Sequence, residues 1–327
     1  MLTDSYGRQI HDLRISVTDR CNFRCYYCKS ADPIAYHGSD AVSLDDFARL
    51  ARVFAGLGIS KVRVTGGEPL LRHGIERFVE HLSATPGIED RAVTTNGWML
   101  ADKARALAAA GLNRVNISMD SVDREKFRRI TATDGYARVL AGIEAAQAAG
   151  LHPVKVNVVL VRGFNDDEIV GFARFARERD VILRFIEFMP LDADRHWTRE
   201  MVVPAAEVVE KIGAVYPLVS IGRDAPYSTA RRYRFADGGP GEIGVVAPVT
   251  LPFCGMCSRV RVTSDGKIRT CLFSLLDHDV KPLLSNGAAD GDIADFIRRV
   301  TLLKEERHHI NDPDFVKPQR TMVFIGG

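Results

Sequence analysis

From Leu13 to about Phe188, short apolar runs alternate with longer stretches of helical spacing. The runs LRISV (13–17), KVRVT (61–65), AVTT (92–95), RVNIS (114–118), VKVNVVLV (154–161) and VILRFIEF (181–188) are β-rich and of strand length. Amphipathic helices fill the intervals. In SLDDFARLARVFAGLG, Ser43 is placed to cap the helix, and Asp45 and Asp46 favour the positive end of its dipole. Phe47, Leu50, Ala51 and Phe54 share one face of it, and Gly56 and Gly58 stop it. The stretches 102–111 and 136–150 likewise end in glycine. Six such repeats predict parallel strands joined by helical crossovers, as an open doubly wound sheet or a partial β/α barrel.

The polar motifs fall where either architecture keeps its active site. Cys21–Cys28, Gly66-Gly67-Glu68, Thr94–Gly97, Ser118-Met119-Asp120 and Met189-Pro190 each sit just past a strand. Beyond Pro190 the pattern changes to short β-like pieces (231–235, 242–246, 259–263) between Gly- and Pro-rich turns, then a helix near Asp292–Leu303. SDGK between RVRVT and IRTCLF reads as a hairpin turn. The expected organisation is a first domain over residues 1–190 and a smaller α+β cap over 191–327 that covers its open side.

Composition narrows the class. The chain has 327 residues, 46% hydrophobic and 26% charged, which suits a globular protein with a substantial core. A net charge of only +2 argues against a dedicated nucleic-acid binder. The charged N-terminus has no apolar signal core, and no apolar run approaches the ~18 residues of a membrane span. The expectation is a cytoplasmic protein with no membrane partner, in a reducing compartment that favours thiolate ligation over disulfides.

All 6 cysteines fall in two triplets: Cys21, Cys25 and Cys28 (C-x3-C-x2-C), and Cys254, Cys257 and Cys271 (C-x2-C-x13-C). Three thiolates leave one coordination position open on a tetrahedral zinc or a four-iron cluster. Zinc is an alternative at both: a knuckle closed by a distant histidine, or a ribbon with His278, His308 or His309 as fourth ligand. Charges add a second signal. Arg14, Arg63 and Lys155 lie on strands that should point them at the interior, where cations are costly unless paired. Arg259 and Arg261 alternate onto one face of theirs.

CNFRCYYC after one strand and TGGEP after the next resemble the radical S-adenosylmethionine (SAM) superfamily. That resemblance implies that Cys21, Cys25 and Cys28 hold a [4Fe–4S] cluster whose open iron is chelated by SAM. It implies SAM contacts at Tyr27, Gly67, Glu68, Ser118 and Met189, with Glu68 accepting from the ammonium and the glycines letting backbone approach the ligand.

CGMCSRVRVTSDGKIRTC narrows the resemblance to the GTP 3′,8-cyclases of molybdenum-cofactor biosynthesis (the MoaA family). GRQIHDLRISVTDRCNFRC, KVRVTGGEPLLR, TTNG, NISMDS, VKVNVV, FIEFMP and the terminal Gly-Gly extend it end to end. It implies a partial (β/α)6 barrel with a C-terminal cap carrying a second [4Fe–4S] cluster on Cys254, Cys257 and Cys271, whose open iron takes the guanine. It also implies GTP contacts at Arg14, Arg63, Thr94, Lys155, Arg259 and Arg261. Catalytic roles fall to Arg259 and Arg261, one of them an option for the final proton donor, and to a tail, Gly326 and Gly327, thin enough to enter the site. The implied reaction is that of a lyase forming 3′,8-cyclo-7,8-dihydro-GTP. Implied partners are a flavodoxin- or ferredoxin-like electron donor and the cyclic pyranopterin monophosphate synthase that receives the product; a homodimer is compatible with the pattern. Lys29-Ser30-Ala31-Asp32 departs from the family's usual Met-Pro and acidic residue. Two other readings stand beside this one: a radical SAM enzyme with an auxiliary cluster acting on a peptide, and a non-enzymatic zinc module that binds nucleic acid.

Overall fold

A computed structural model describes residues 1–28, 42–192, 194 and 196–326. Lys29–Asp32 and Gly327, both singled out in the sequence, lie outside the described residues. Six strands alternate with helices in the first half: β1 (Asp12–Ser16), α1 (Leu44–Gly56), β2 (Lys61–Thr65), α2 (Ile75–Ser83), β3 (Asp90–Thr95), α3 (Leu100–Ala109) and β4 (Arg114–Ser118). Then come α4 (Arg124–Thr131), α5 (Tyr136–Ala148), β5 (Lys155–Leu160), α6 (Ile169–Arg179) and β6 (Ile182–Glu187). The helix start at Ser43 is as expected, its hydroxyl accepting from the Asp46 N–H at 3.0 Å. Of the two glycines after it, Gly58 is the one in the left-handed region, at φ 101°.

The second half supplies α7 (Ala205–Gly213), β7 (Leu218–Gly222), β8 (Arg231–Phe235), β9 (Glu242–Val246), β10 (Arg259–Val262), β11 (Lys267–Arg269) and β12 (His278–Asp279). Three helices end the chain: α8 (Lys281–Ser285), α9 (Asp290–Leu302) and α10 (Met322–Ile325).

All the strands join one 12-stranded sheet in the order β12-β11-β10-β1-β2-β3-β4-β5-β6-β9-β8-β7. The run from β10 through β1–β6 to β9 is parallel throughout. Antiparallel strands flank it, β11 and β12 on one side and β8 and β7 on the other. Late segments therefore extend the early barrel at both edges. The strands' apolar residues pack under the helices, with Leu13, Ile15, Val62, Val93, Val115, Ile117, Val156 and Leu183 fully buried. A second apolar cluster of Leu191, Val202, Val249, Phe273 and Ile310 lies between the segment after β6 and the Cys271 turn. The fold is the α/β partial barrel that the resemblance implies, one of the two architectures the repeats left open.

Candidate active site

The register of the parallel strands arranges the inward charges in two rows. In the lower row, Arg259, Asp12, Lys61 and Asp90 are consecutive partners across β10, β1, β2 and β3. Signs alternate along it, and Lys61 and Arg114 both pair with Asp90, at 3.1 and 2.7 Å. One step toward the strands' C-terminal ends, Arg261, Arg14 and Arg63 are partners on adjacent strands, about 4.8 Å apart. No carboxylate interrupts this upper row.

Its cations bear the marks of missing counter-charge. Burial and then Arg63 and Arg261 push the Arg14 pKa far down, and burial and Arg259 lower Arg261 to about 10. The Nε atoms of Arg14 and Arg63 and the hydroxyl of Thr94 are buried without a hydrogen-bond partner. Orphaned donors of this kind are expensive unless a ligand satisfies them. Arg184 on β6 joins the same wall, lowered to about 9 by burial and by Arg63. It was missed, although it occupies the same kind of inward strand position as Arg63.

These residues line one cavity of about 320 Å³ that has the first cysteine triplet at one place on its wall and the second at another. Cys21, Cys25 and Cys28 sit on the loop after β1. Two backbone bonds tie that loop to the turn after β2: Gly67 N–H to the Thr18 carbonyl and Glu68 N–H to the Arg20 carbonyl, both 2.7 Å. Two more tie it to the end of α4: Arg24 N–H to Thr131 and Tyr26 N–H to Ile130, at 2.9 and 3.2 Å. A Cβ on Gly66 would fall 2.5 Å from the Thr18 carbonyl oxygen and one on Gly67 2.3 Å from that of Arg20. The glycines thus let this turn lie against the cysteine loop, and both also line the cavity.

Glu68 also differs from its expected place. It is fully buried outside the cavity wall, and its carboxylate accepts from the Leu70 and Asn96 N–H groups (3.0 and 2.6 Å) and the Thr95 hydroxyl (2.7 Å). Burial pushes its pKa up to about 7. Its work is to hold the 95–97 turn, where Asn96 Nδ2 points to the Cys21 sulfur at 3.8 Å. Tyr27, Gly67, Ser118 and Met189 do line the cavity. The Tyr27 hydroxyl donates to Asp120, a cavity carboxylate pushed up to about 6 by burial and absent from the sequence reading as a named ligand.

Around the second triplet, cations replace the acid. Arg259 donates to the Cys257 sulfur at 3.2 Å, and although burial opposes it, Arg259 brings that thiol down to about 6. Lys304, just after α9, donates to the carbonyls of Arg259 (2.9 Å) and Thr270. Arg8 reaches the Cys254 carbonyl at 2.9 Å. Neither cation was named from the sequence. His308 shares the cavity with these cysteines, its Nδ1 accepting from the Ile310 N–H at 3.3 Å, whereas His309 pairs with Asp312 at the surface.

Among the described residues, no group of three or more His, Cys, Asp or Glu side chains is gathered to hold a single metal ion. The chemistry of the donor sets fits iron–sulfur clusters: three soft thiols at each place, with N–H groups of Asn96, Phe23, Arg259 and Phe273 directed at sulfur.

Lys155 does not reach the cavity wall. It begins β5, below Asn157 and Val159, and burial with Arg184 and Arg114 pushes it down to about 6. The tail, in contrast, comes in. Arg261 donates to the Gly326 carbonyl, and a Cβ on Gly326 would meet Thr65, Ser16 and Gly66 at the ends of β1 and β2. Met322 lines the cavity.

Residues 15–176 match the radical SAM superfamily and residues 181–310 the Molybdenum Cofactor Synthesis C family. Among solved structures, SuiB of Streptococcus suis bound to its precursor peptide SuiA aligns with a TM-score of 0.66 at 14% identity, covering 96% of this chain and 75% of that one. Only the fold is shared at that distance. Curated relatives are far nearer. A GTP 3′,8-cyclase of Moorella thermoacetica is 44% identical over 100% of both chains. One of Streptomyces coelicolor is 43% identical over 100% of this chain and 96% of its own. With such identity sustained along its whole length, the chain belongs to the GTP 3′,8-cyclase family.

Proposed function

We propose that the protein joins C3′ of the GTP ribose to C8 of its guanine, giving 3′,8-cyclo-7,8-dihydro-GTP, the first step of molybdenum-cofactor biosynthesis. The observation that carries this reading is the row of unpaired guanidiniums in a cavity that both cysteine triplets line. Cys21, Cys25 and Cys28 would hold one [4Fe–4S] cluster, and Cys254, Cys257 and Cys271 the other. With the first cluster and SAM in place, the chemistry supplied is one-electron cleavage of SAM to a 5′-deoxyadenosyl radical that takes hydrogen from C3′.

The chain's own part is to bind, orient and exclude. Forked guanidiniums suit a triphosphate, which carries about four negative charges. Arg14, Arg63, Arg184, Arg259 and Arg261 supply them, Thr94 adds a hydroxyl, and Lys155 adds charge from below. Tyr27, Gly67, Ser118, Met189 and Asp120 surround SAM, while Glu68 positions the turn that carries Asn96. Phe188, Leu191, Phe253, Phe273 and Met322 keep the cavity apolar enough to protect a radical. Gly326 enters beside Arg261, and Arg259 and Arg261 are the candidates for delivery of the last proton.

We read the chain as two domains meeting near residue 190, a division supported by family matches that end at 176 and begin at 181. Among the described residues, no helix is long and apolar enough to cross a membrane. In this reading the enzyme works in the cytoplasm, alone or as a homodimer. It takes electrons from a flavodoxin- or ferredoxin-like donor and passes its product to the cyclic pyranopterin monophosphate synthase. Anaerobic reconstitution should give about eight irons per chain and about four in Cys271→Ala. Stoichiometric zinc, with no SAM cleavage in the presence of GTP and reductant, would overturn the assignment.

A further inference from the structure

A second cavity, of about 390 Å³, adjoins the first and has no part in the mechanism above. Helix α7, the start of β8 and the segment leading to Cys254 wall it. Two residues, Thr229 and Phe253, line both cavities. Phe253 connects their cations as well: Arg223 of the second cavity stands 5.8 Å from its ring centroid and Arg259 of the first 5.1 Å.

Charge in the second cavity is unbalanced. Arg223 and Arg231 both line it, and neither forms an ion pair among the described residues. Arg223 donates one hydrogen bond, to the Ser228 carbonyl at 3.0 Å, and burial together with the Arg231 charge lowers its pKa. Glu210 on α7 is the carboxylate of this lining, and it pairs with neither arginine. Tyr233 follows Arg231 by two positions on β8 and so shares its face. Cations that repel one another beside an aromatic surface gather phosphate-bearing aromatic ligands. The exposure is graded inward: Arg231 is exposed, Arg223 half-buried and Arg261 buried.

We propose that this second cavity is an antechamber in which Arg231 and Arg223 capture a nucleoside triphosphate by its phosphates and pass it along Phe253 to Arg259 and Arg261. The proposal rests on the reading of GTP as substrate. Arginines that touch the ligand only on its way in set the rate of arrival, not the chemistry. An encounter step of this kind depends on charge and on salt, and it accelerates association about 10- to 1,000-fold.

The test is stopped-flow association of mant-GTP with the reconstituted protein, alongside steady-state turnover of GTP. Arg223→Ala/Arg231→Ala should lower the association rate about tenfold and flatten its dependence on salt, with kcat at saturating GTP unchanged. Arg223→Lys/Arg231→Lys should keep most of the wild-type rate, since charge rather than fork geometry does the steering. An association rate within twofold of wild type, in an enzyme that turns over GTP, would overturn the antechamber alone. So would a fall in kcat with iron content intact, because the arginines would then belong to the reacting site. Wild-type protein that neither binds mant-GTP nor turns over GTP would overturn both the substrate reading and the antechamber.

Discussion

Gly326→Ala perturbs the tail at one atom, and the structure sets the size of the effect. Gly326 has φ 76° and ψ 121°, a combination that residues with a side chain adopt only at a cost of about 1–3 kcal/mol. An added Cβ would stand 2.6 Å from the Thr65 methyl and 3.2 Å from the Ser16 Cβ. Thr65 and Ser16 are 2% and 0% exposed on adjacent strands, so neither can swing away. Overpacking at such a site adds about 1–3 kcal/mol. Taking the lower end of both, the substitution destabilises the docked tail by about 2 kcal/mol, about a 30-fold fall in the ratio of docked to undocked tail. The Arg261 bond to the Gly326 carbonyl is lost with it. If cyclisation needs the docked tail, kcat for GTP should fall by up to about 30-fold. Iron content and SAM binding should stay as in wild type. The assay is anaerobic single-turnover conversion of GTP, read by chromatography of the cyclised product. A variant within twofold of wild-type rate would refute the reasoning.

Two other perturbations test the charge arrangement. Lys155 is neutral near pH 8 in the free protein, because burial with Arg184 and Arg114 pushes it down to about 6. A triphosphate on Arg63 and Arg184 restores the cation, so binding should take up about one proton and weaken about tenfold per unit as pH rises from about 7.5 to 9. Calorimetry in buffers of different ionisation enthalpy measures the uptake, which Lys155→Met should abolish; uptake that persists in the variant would refute the assignment. Arg320→Ala removes hydrogen bonds to both oxygens of Asp265 (3.0 and 2.8 Å) and an ion pair with Asp277 (2.5 Å), just before α10. Loss of about 1–3 kcal/mol there should speed proteolytic release of the tail about tenfold, and unchanged cleavage would count against the clamp.

Much of the barrel was legible because its signals are local. The spans 61–65, 114–118, 231–235 and 242–246 are strands at the expected limits, and Ser43 caps the helix it was expected to cap. Cysteine spacing is equally local, and it marked both thiol triplets of the cavity wall. Inward arginines could be anticipated at positions 14 and 63, since a cation on a parallel core strand has no other good reason to be there. Arg184 carried the same signal and could have been found by it. Arg8 and Lys304 could not, because each acts on a cysteine segment far away in sequence.

What the sequence by itself determined is the alternation of strands and helices, the two thiol triplets and their open ligand positions, and the family. Tertiary structure alone decided which charges lack partners. Register placed Arg259, Asp12, Lys61 and Asp90 in one compensated row and Arg261, Arg14 and Arg63 in an uncompensated one, although each strand carries both kinds of position. It also turned Glu68 away from the cavity and set Gly66 and Gly67 between the cavity and the backbone of the cysteine loop. The reason is physical: a side chain's type is written in the chain, but its neighbours are set by strand pairing between residues tens to hundreds of positions apart.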